Sequence, residues 1–455
     1  MLQQLFMPFF GVFGWISILL IVGVILRARI GFFQQYLVPA AIIGGVIGFI
    51  LISVGWIDIS NDEFTKFAVV LFTLNFISIG LTGADETAVK KGSTLGKTLV
   101  RGMLWITLVY VIVFMTQGLL GIGLISLTNT FSDPIFEGLG FLVATGFAQG
   151  PGQTVALASL WEKSFNIPNA VSIGLTFAAV GYLVSSFVGV PLANWGIRKG
   201  YTANSPRELP NDVLTGISEA GNGPSAGKLT THTGNIDGLS FQLAVLLVTL
   251  FITYFACLGL KEILPGPVKP LAFGMMFLWG MFIAVIIRLI LGKLGLTVYL
   301  DNNLQRRITG VAVDYMIVAT LVAVKVAIVW AYIVPITAIC LIVAVFTTLF
   351  IVYFGRRLDH FGFERFMAVY GTATGTGASG LLLLRIVDPE FKSPAAQELG
   401  LYNAFALPLL LPVSFFVFPL PEFGLAPLLA LSAGLIVVCL VLLKVFKFWG
   451  EPVWK

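Results

Sequence analysis

The chain has 455 residues, 58% hydrophobic and 11% charged, with a mean hydropathy of +0.97 and a formal net charge of +5. Roughly a quarter of an ordinary soluble domain is charged, so a water-soluble fold of this length is excluded, because it could not hide so much apolar surface. The basic excess forms no tract with interleaved aromatics, which sets aside a nucleic-acid binder, and cytoplasmic loops of a membrane protein account for it.

A window of about 20 residues places spans at Pro8 to Leu26, Leu37 to Val54, Phe64 to Thr82, Thr98 to Gly118 and Ala170 to Leu192. More follow at Leu239 to Leu260, Leu271 to Leu291, Val311 to Val329, Tyr332 to Phe354, Leu401 to Leu420 and Leu425 to Leu443, making eleven crossings. The first stretch, Met1 to Gln35, has no basic residue before its apolar run and no small-residue cleavage site, so it reads as a retained span. Cys257, Cys340 and Cys439 lie within apolar stretches and read as small hydrophobes.

Two apolar segments, 134–160 and 366–387, are interrupted by glycine, proline, glutamine and threonine. Each half has about ten to twelve residues, which at 1.5 Å per residue reaches the middle of a ~30 Å core. Such halves suit re-entrant hairpins. Charge supports that reading, since a hairpin leaves the sidedness of later loops unchanged. With an outside N-terminus, the inner loops hold Arg27, Arg29, Lys90, Lys91, Lys97, Arg101, Arg198, Lys199, Arg207, Lys228, Lys293, Arg306, Arg307, Arg356, Arg357, Arg365, Arg385 and Lys392. The C-terminal lysines join them, and only Lys66, Lys163, Lys261 and Lys269 stay outside, as the positive-inside bias requires.

The polar stretch between Arg198 and Gly238 reads as a cytoplasmic linker. Gly221 to Lys228 within it has the wrong spacing for a phosphate loop. The expected organisation is a first repeat over 1–195, the linker over 196–238, a second repeat over 239–420 and an extra span and tail over 421–455. The fold class is an all-α polytopic membrane protein with inverted repeats, each of five spans and a re-entrant hairpin.

The repeat rests on residues 225 apart. Phe141, Gly146, Ala148, Gly150 and Gly152 match Phe366, Gly371, Ala373, Gly375 and Gly377, and Thr154 falls against Ser379; outside that offset, Asn169-Ala170 recurs as Asn403-Ala404 in the span after each break. Inverted repeats with paired helix breaks are a mark of secondary transporters, with the site between the repeats.

An unsatisfied backbone group in hydrocarbon costs several kcal/mol, so a break survives where protein, water or ligand completes it. Gln149, Gly150, Gly152, Gln153 and Thr154 at the first break, and Thr374, Gly375, Thr376, Gly377 and Ser379 at the second, are the candidate substrate-binding residues. Helix N-termini there suit a carboxylate. Opposed carbonyl ends suit sodium, with Asn75, Asn169 and Asn403 as candidate ligands. The plainer reading is that glycines permit close packing and threonines bond their own helices.

Ionisable residues at membrane depth are functional suspects. Arg385 follows the second break by about two turns and is a candidate partner of a substrate carboxylate, although topology control explains it as well. Arg288 suits snorkelling to the interface, Asp314 begins its predicted span, and Lys325 suits either a structural counter-charge or an aqueous path.

The sequence resembles the glutamate:sodium symporter family, itself related in architecture to the 2-hydroxycarboxylate transporters. The likeness rests on Tyr36-Leu-Val-Pro-Ala-Ala-Ile-Ile-Gly-Gly45, Ser78-Ile-Gly-Leu-Thr82, Leu160-Trp-Glu-Lys163, Gly189-Val-Pro-Leu-Ala193, Ala319 to Lys325 and Gly371 to Ser379. It implies sodium-coupled glutamate uptake across a bacterial inner-membrane type of plasma membrane, no resident cofactor, two re-entrant loops, and a homodimer working by an elevator-like displacement. The chain departs from the family where the first loop usually reads glycine-glycine-histidine-glycine, having Gln149-Gly150-Pro151-Gly152 instead. Another dicarboxylate or amino acid, or proton coupling, therefore stays open. A membrane enzyme is disfavoured, since no acidic pair, His-rich cluster or nucleophile elbow lies in the spans.

Overall fold

The computed structural model describes residues 10–82, 94–131, 133–203, 211–217, 227–232, 234–358, 360–389 and 391–454. Pro8, Lys90, Lys91, Arg207, the 221–226 part of the discounted loop and the last lysine lie outside them.

Every regular element among the described residues is helical. The main helices are α1 Val12–Arg29, α2 Ala40–Ser53, α3 Asn61–Leu81, α4 Thr94–Thr128, α5 Gly150–Ser164, α6 Ala170–Lys199 and α7 Gly238–Ile263. They continue with α8 Met276–Lys293, α9 Asn302–Val322, α10 Ile333–Gly355, α11 Gly362–Thr374, α12 Gly377–Val387, α13 Asn403–Val417 and α14 Leu425–Val445. Among the described residues nine helices are long and apolar enough to cross a membrane. Two further anticipated segments hold α2, which is only 14 residues long, and α9, which carries Arg306, Arg307 and Asp314.

Two boundaries differ from the sequence reading. Helix α4 runs on to Thr128, ten residues past the anticipated end at Gly118, because the sequence there stays apolar. The expected span Val311 to Val329 is instead α9, which starts at Asn302 and stops at Val322. Hydropathy cannot see that stop, because the released carbonyls find partners: Asn61 Nδ2 donates to Val322 O at 2.9 Å and to Val324 O at 3.3 Å. Lys325, just beyond, pairs with Asp62 at 3.3 Å and so acts as a counter-charge.

The helices fall into two groups by packing. Helices α1, α2, α3, α7, α8 and α9 pack chiefly on one another. Helices α4, α6, α10, α13 and α14 surround the two interrupted segments. Small residues bring backbones together where helices cross: a Cβ on Gly23 would lie 2.1 Å from Ala40 O, and one on Gly44 would lie 2.3 Å from Leu19 O. Gly44 is therefore a packing feature of the α1–α2 crossing, while Gly45 faces α9, where a Cβ would lie 2.4 Å from Leu321 Cδ1.

Buried polar groups tie the first group together. Ser78 Oγ donates to Gln305 O and Oε1, both at 2.9 Å, and Gln305 Nε2 donates to Gln242 Oε1 at 3.2 Å. Arg288 donates to Leu81 O at the end of α3, which satisfies a terminal carbonyl. Helix α4 is the axis of the second group, with 72% of its apolar window buried against 22% for α1, α7, α8 and α14. The peripheral helices present Phe251, Leu289 and Val441 outward, as lipid-facing helices do.

Candidate functional site

The first interrupted segment runs through a 3-10 turn at Glu137–Phe141 and a π-helical turn at Thr145–Gln149 into α5. The break is narrower than the sequence suggested. It is concentrated at Gly150, whose φ of +79° and ψ of −175° reverse the chain locally, a conformation that glycine adopts without a Cβ penalty. Pro151 sits in the first turn of α5, where no N–H is needed. The second break is wider: α11 ends at Thr374, Gly375 turns the chain, Thr376 is extended, and α12 begins at Gly377.

The two breaks touch. A Cβ on Gly150 would lie 2.4 Å from Thr376 Cγ2 and 3.5 Å from both Gly375 O and Tyr182 Oη. Helix α6 contacts both sides, since a Cβ on Gly181 would lie 2.8 Å from Thr374 O and 3.1 Å from Phe147 Cα. Helix α4 bonds both sides as well. Tyr110 Oη donates to Ala148 O at 2.9 Å and Gln117 Nε2 donates to Ala373 O at 3.0 Å. Ala148 and Ala373 are a 225-residue pair, so one helix caps equivalent carbonyls with donors two turns apart on one face.

Three polar atoms are buried at this junction: Gln149 Oε1 has no hydrogen-bond partner, and Tyr182 Oη and Thr376 Oγ1 have none beyond one another. Leaving such groups unmade costs about 1–3 kcal/mol each, so their clustering marks a place completed by something else. The N-termini of α5 and α12 open on the same junction and offer backbone donors for an anion.

The other anticipated residues divide clearly. Thr154 Oγ1 donates to Thr145 Oγ1 at 3.1 Å and Gly150 O at 3.0 Å, stitching the two sides of the first break. Thr374 bonds its own helix through Tyr370 O at 2.7 Å, as Thr372 does through Ala368 O. Gln153 and Ser379 are buried within a turn of the breaks. A Cβ on Gly152 would press on Phe72 Cδ2 at 2.1 Å and Met316 Sδ at 2.7 Å, whereas Gly377 faces open space.

Arg385 is exposed near the far end of α12, away from the junction. Asn169, in a left-handed conformation, and Asn403 stand at the starts of α6 and α13 and do not join the breaks. Asn75 lies one turn beyond Phe72 on α3, with a buried and unpartnered Oδ1. Sequence reasoning missed Tyr110, Gln117 and Tyr182, which sit singly in apolar helices. It also missed the buried Arg365–Glu398 pair, in which Arg365 Nε donates to Glu398 Oε2 at 2.7 Å and Nη2 to Oε1 at 2.5 Å. That pair joins α11 to the segment before α13, while Trp161 Nε1 donates to Phe418 O at 3.0 Å and joins α5 to the end of α13.

Membrane-length helices around two interrupted helices in contact define the class, a multi-span membrane transport protein. The comparison with known proteins makes this specific: the chain belongs to the sodium/glutamate symporter family, which matches residues 12–359. It is a transporter and not an enzyme. It is 24% identical over 346 residues to the sodium/glutamate symporter of Haemophilus influenzae, covering 70% of this chain and 78% of that protein. It is also 24% identical over 221 residues to that of Escherichia coli, covering 47% of this chain and 50% of the relative. No solved structure matches it.

Proposed function

We propose that the protein is a sodium-coupled symporter that imports glutamate or a similar small organic anion, with the junction of the two breaks as its substrate site. The observation that carries this reading is the group of Gln149 Oε1, Tyr182 Oη and Thr376 Oγ1, buried where the breaks meet with no partner outside the group. The N–H groups of α5 and α12 receive the carboxylates, and the three side chains orient the substrate. Asp314 lies on α9, the helix whose Met316 meets Gly152, and is the acidic group assigned to an ammonium group or a coupling cation. Sodium is the coupling ion in the names of the family and its relatives, and Asn75 Oδ1 remains the best placed of the three asparagines to take part.

The same reading includes alternating access by displacement of the group around the breaks against the group around α3 and α9. The order of elements supports the inverted repeat. In each half three helices of the first group precede a helix of the second group, an interrupted segment and a further helix. Re-entrant hairpins over 134–160 and 366–387, repeats over 1–195 and 239–420, an outside N-terminus, a cytoplasmic C-terminus and a homodimer belong to this reading too, in a plasma membrane of the bacterial inner-membrane type. Gln149 and Pro151, standing where the family pattern has glycine and histidine, favour a second reading in which another dicarboxylate replaces glutamate.

Uptake into proteoliposomes tests the function. Sodium-stimulated accumulation of glutamate or a related dicarboxylate is expected. No sodium-stimulated uptake across a panel of amino acids and dicarboxylates would overturn it.

A further inference from the structure

All four lysines that the charge pattern leaves on the outer side, Lys66, Lys163, Lys261 and Lys269, line one cavity of about 530 Å³. They come from α3, the end of α5, the end of α7 and the loop before α8, so the fold gathers cations that are scattered over some 200 residues of sequence. Lys66 is paired with Glu63 at 2.5 Å. Lys163, Lys261 and Lys269 have no acidic partner among the described residues. Converging cations without counter-charges focus a positive potential into a cleft with low-dielectric walls, and a cavity of this size suits a small ligand.

The cavity leads toward the first break. Ala156, Ser159 and Lys163 line it from the face of α5 that begins at Gly152, following the helical spacing of four, three and four residues. Ser159 Oγ on that face is buried and unpartnered. Lys163 lies eleven residues beyond Gly152, about 16 Å along the helix. That is about half the thickness of a ~30 Å core, so with the break at mid-membrane the lysines stand at its surface. Phe72 and Phe277 line the inner end with ring centroids 4.9 Å apart, and Phe72 is the side chain against Gly152.

We propose that this cavity is an outer anteroom that holds a small carboxylate anion on Lys163, Lys261, Lys269 and the Ser159 hydroxyl, with the Phe72–Phe277 contact separating it from the break junction. This deepens the symport reading and rests on it for the direction of passage, while the binding itself is measurable without transport.

The test uses the full chain in zwitterionic vesicles with Ser164→Cys as a reporter, an exposed residue on the cavity wall. Reaction rates of anionic and cationic methanethiosulfonates are compared, with the unsubstituted protein as blank, since Cys257, Cys340 and Cys439 are buried. The anionic reagent is expected to react about tenfold faster at low salt, with the preference lost at 1 M salt, where the Debye length falls to about 3 Å. Lys163→Gln with Lys269→Gln should erase the preference, Lys163→Arg should keep it, and glutamate should slow the anionic reagent. In uptake the double variant should raise KM about three- to tenfold at low salt with kcat unchanged.

Equal reagent rates, or protection by phosphatidylglycerol and not by glutamate, overturn the anteroom. Normal sodium-driven uptake with equal reagent rates rejects the anteroom alone. A clear anionic preference with glutamate protection but no uptake supports the anteroom and rejects the symport reading.

Discussion

The two breaks share a sequence pattern but differ in how they are held. The first is a one-residue kink at Gly150 inside buried structure, stitched across by Thr154 and followed by a glycine pressed against Phe72. The second is a two-residue gap, a turn at Gly375 and an extended Thr376, followed by a glycine that faces open space. Equivalent sequence thus produces one wall closed by Phe72 at Gly152 and one that is packed on Ser379 at Gly375 but open at Gly377. A glycine match reports where a helix can break, while the neighbours decide what the break does.

The strongest way to break this comparison is Gly150→Val. The new side chain collides with Thr376 and must adopt a positive φ, which costs an L-residue about 1–2 kcal/mol before any clash. Sodium-driven uptake should fall below detection while the protein still reaches the membrane, and retained uptake would show that the contact between the breaks is dispensable. Next in size is Arg365→Gln, which strands the buried Glu398 carboxylate behind the second break. The expected loss is about 3–5 kcal/mol, read as a lowered unfolding midpoint in detergent, and an unchanged midpoint would mean the pair is not holding α11.

Smaller effects sharpen the contrast. Tyr110→Phe and Gln117→Leu each leave one carbonyl of a matched alanine pair without its donor, at about 1–3 kcal/mol. Each should lower uptake about tenfold or more, and transport insensitive to both would reduce α4 to a packing element. Gly377→Ala should leave the unfolding midpoint unchanged, because no atom lies within 4 Å of the new methyl. It should nonetheless raise KM if substrate approaches α12, and an unchanged KM would place the ligand elsewhere.

Much of this arrangement was legible in the sequence because glycine and proline clustered inside an apolar run interrupt a helix that hydropathy alone would carry across the membrane. The positions of the breaks and of the eleven helical segments came directly from hydropathy, with the ends of α4 and α9 shifted. Tyr110, Gln117 and Tyr182 did not, since a single polar residue in an apolar helix carries no periodic signal and its partner lies on another segment. Thr374 was open to two readings, and in the structure it bonds its own helix, as Thr372 does. Asn169 and Asn403 match in sequence but differ in backbone setting, Asn169 being left-handed at the start of α6 and Asn403 lying in the first turn of α13. Trp161 of the Leu160-Trp-Glu-Lys163 motif gains a role only in three dimensions, where its indole caps the end of α13.

The central claim is that both breaks bind one substrate between them. A cryo-electron microscopy map of the protein in lipid, with glutamate and sodium at saturating concentration, tests it most directly. Ligand density is expected between Gln149, Tyr182 and Thr376, against the N-termini of α5 and α12. Density bound at another place, with these three side chains still without a partner outside the group, would contradict the account.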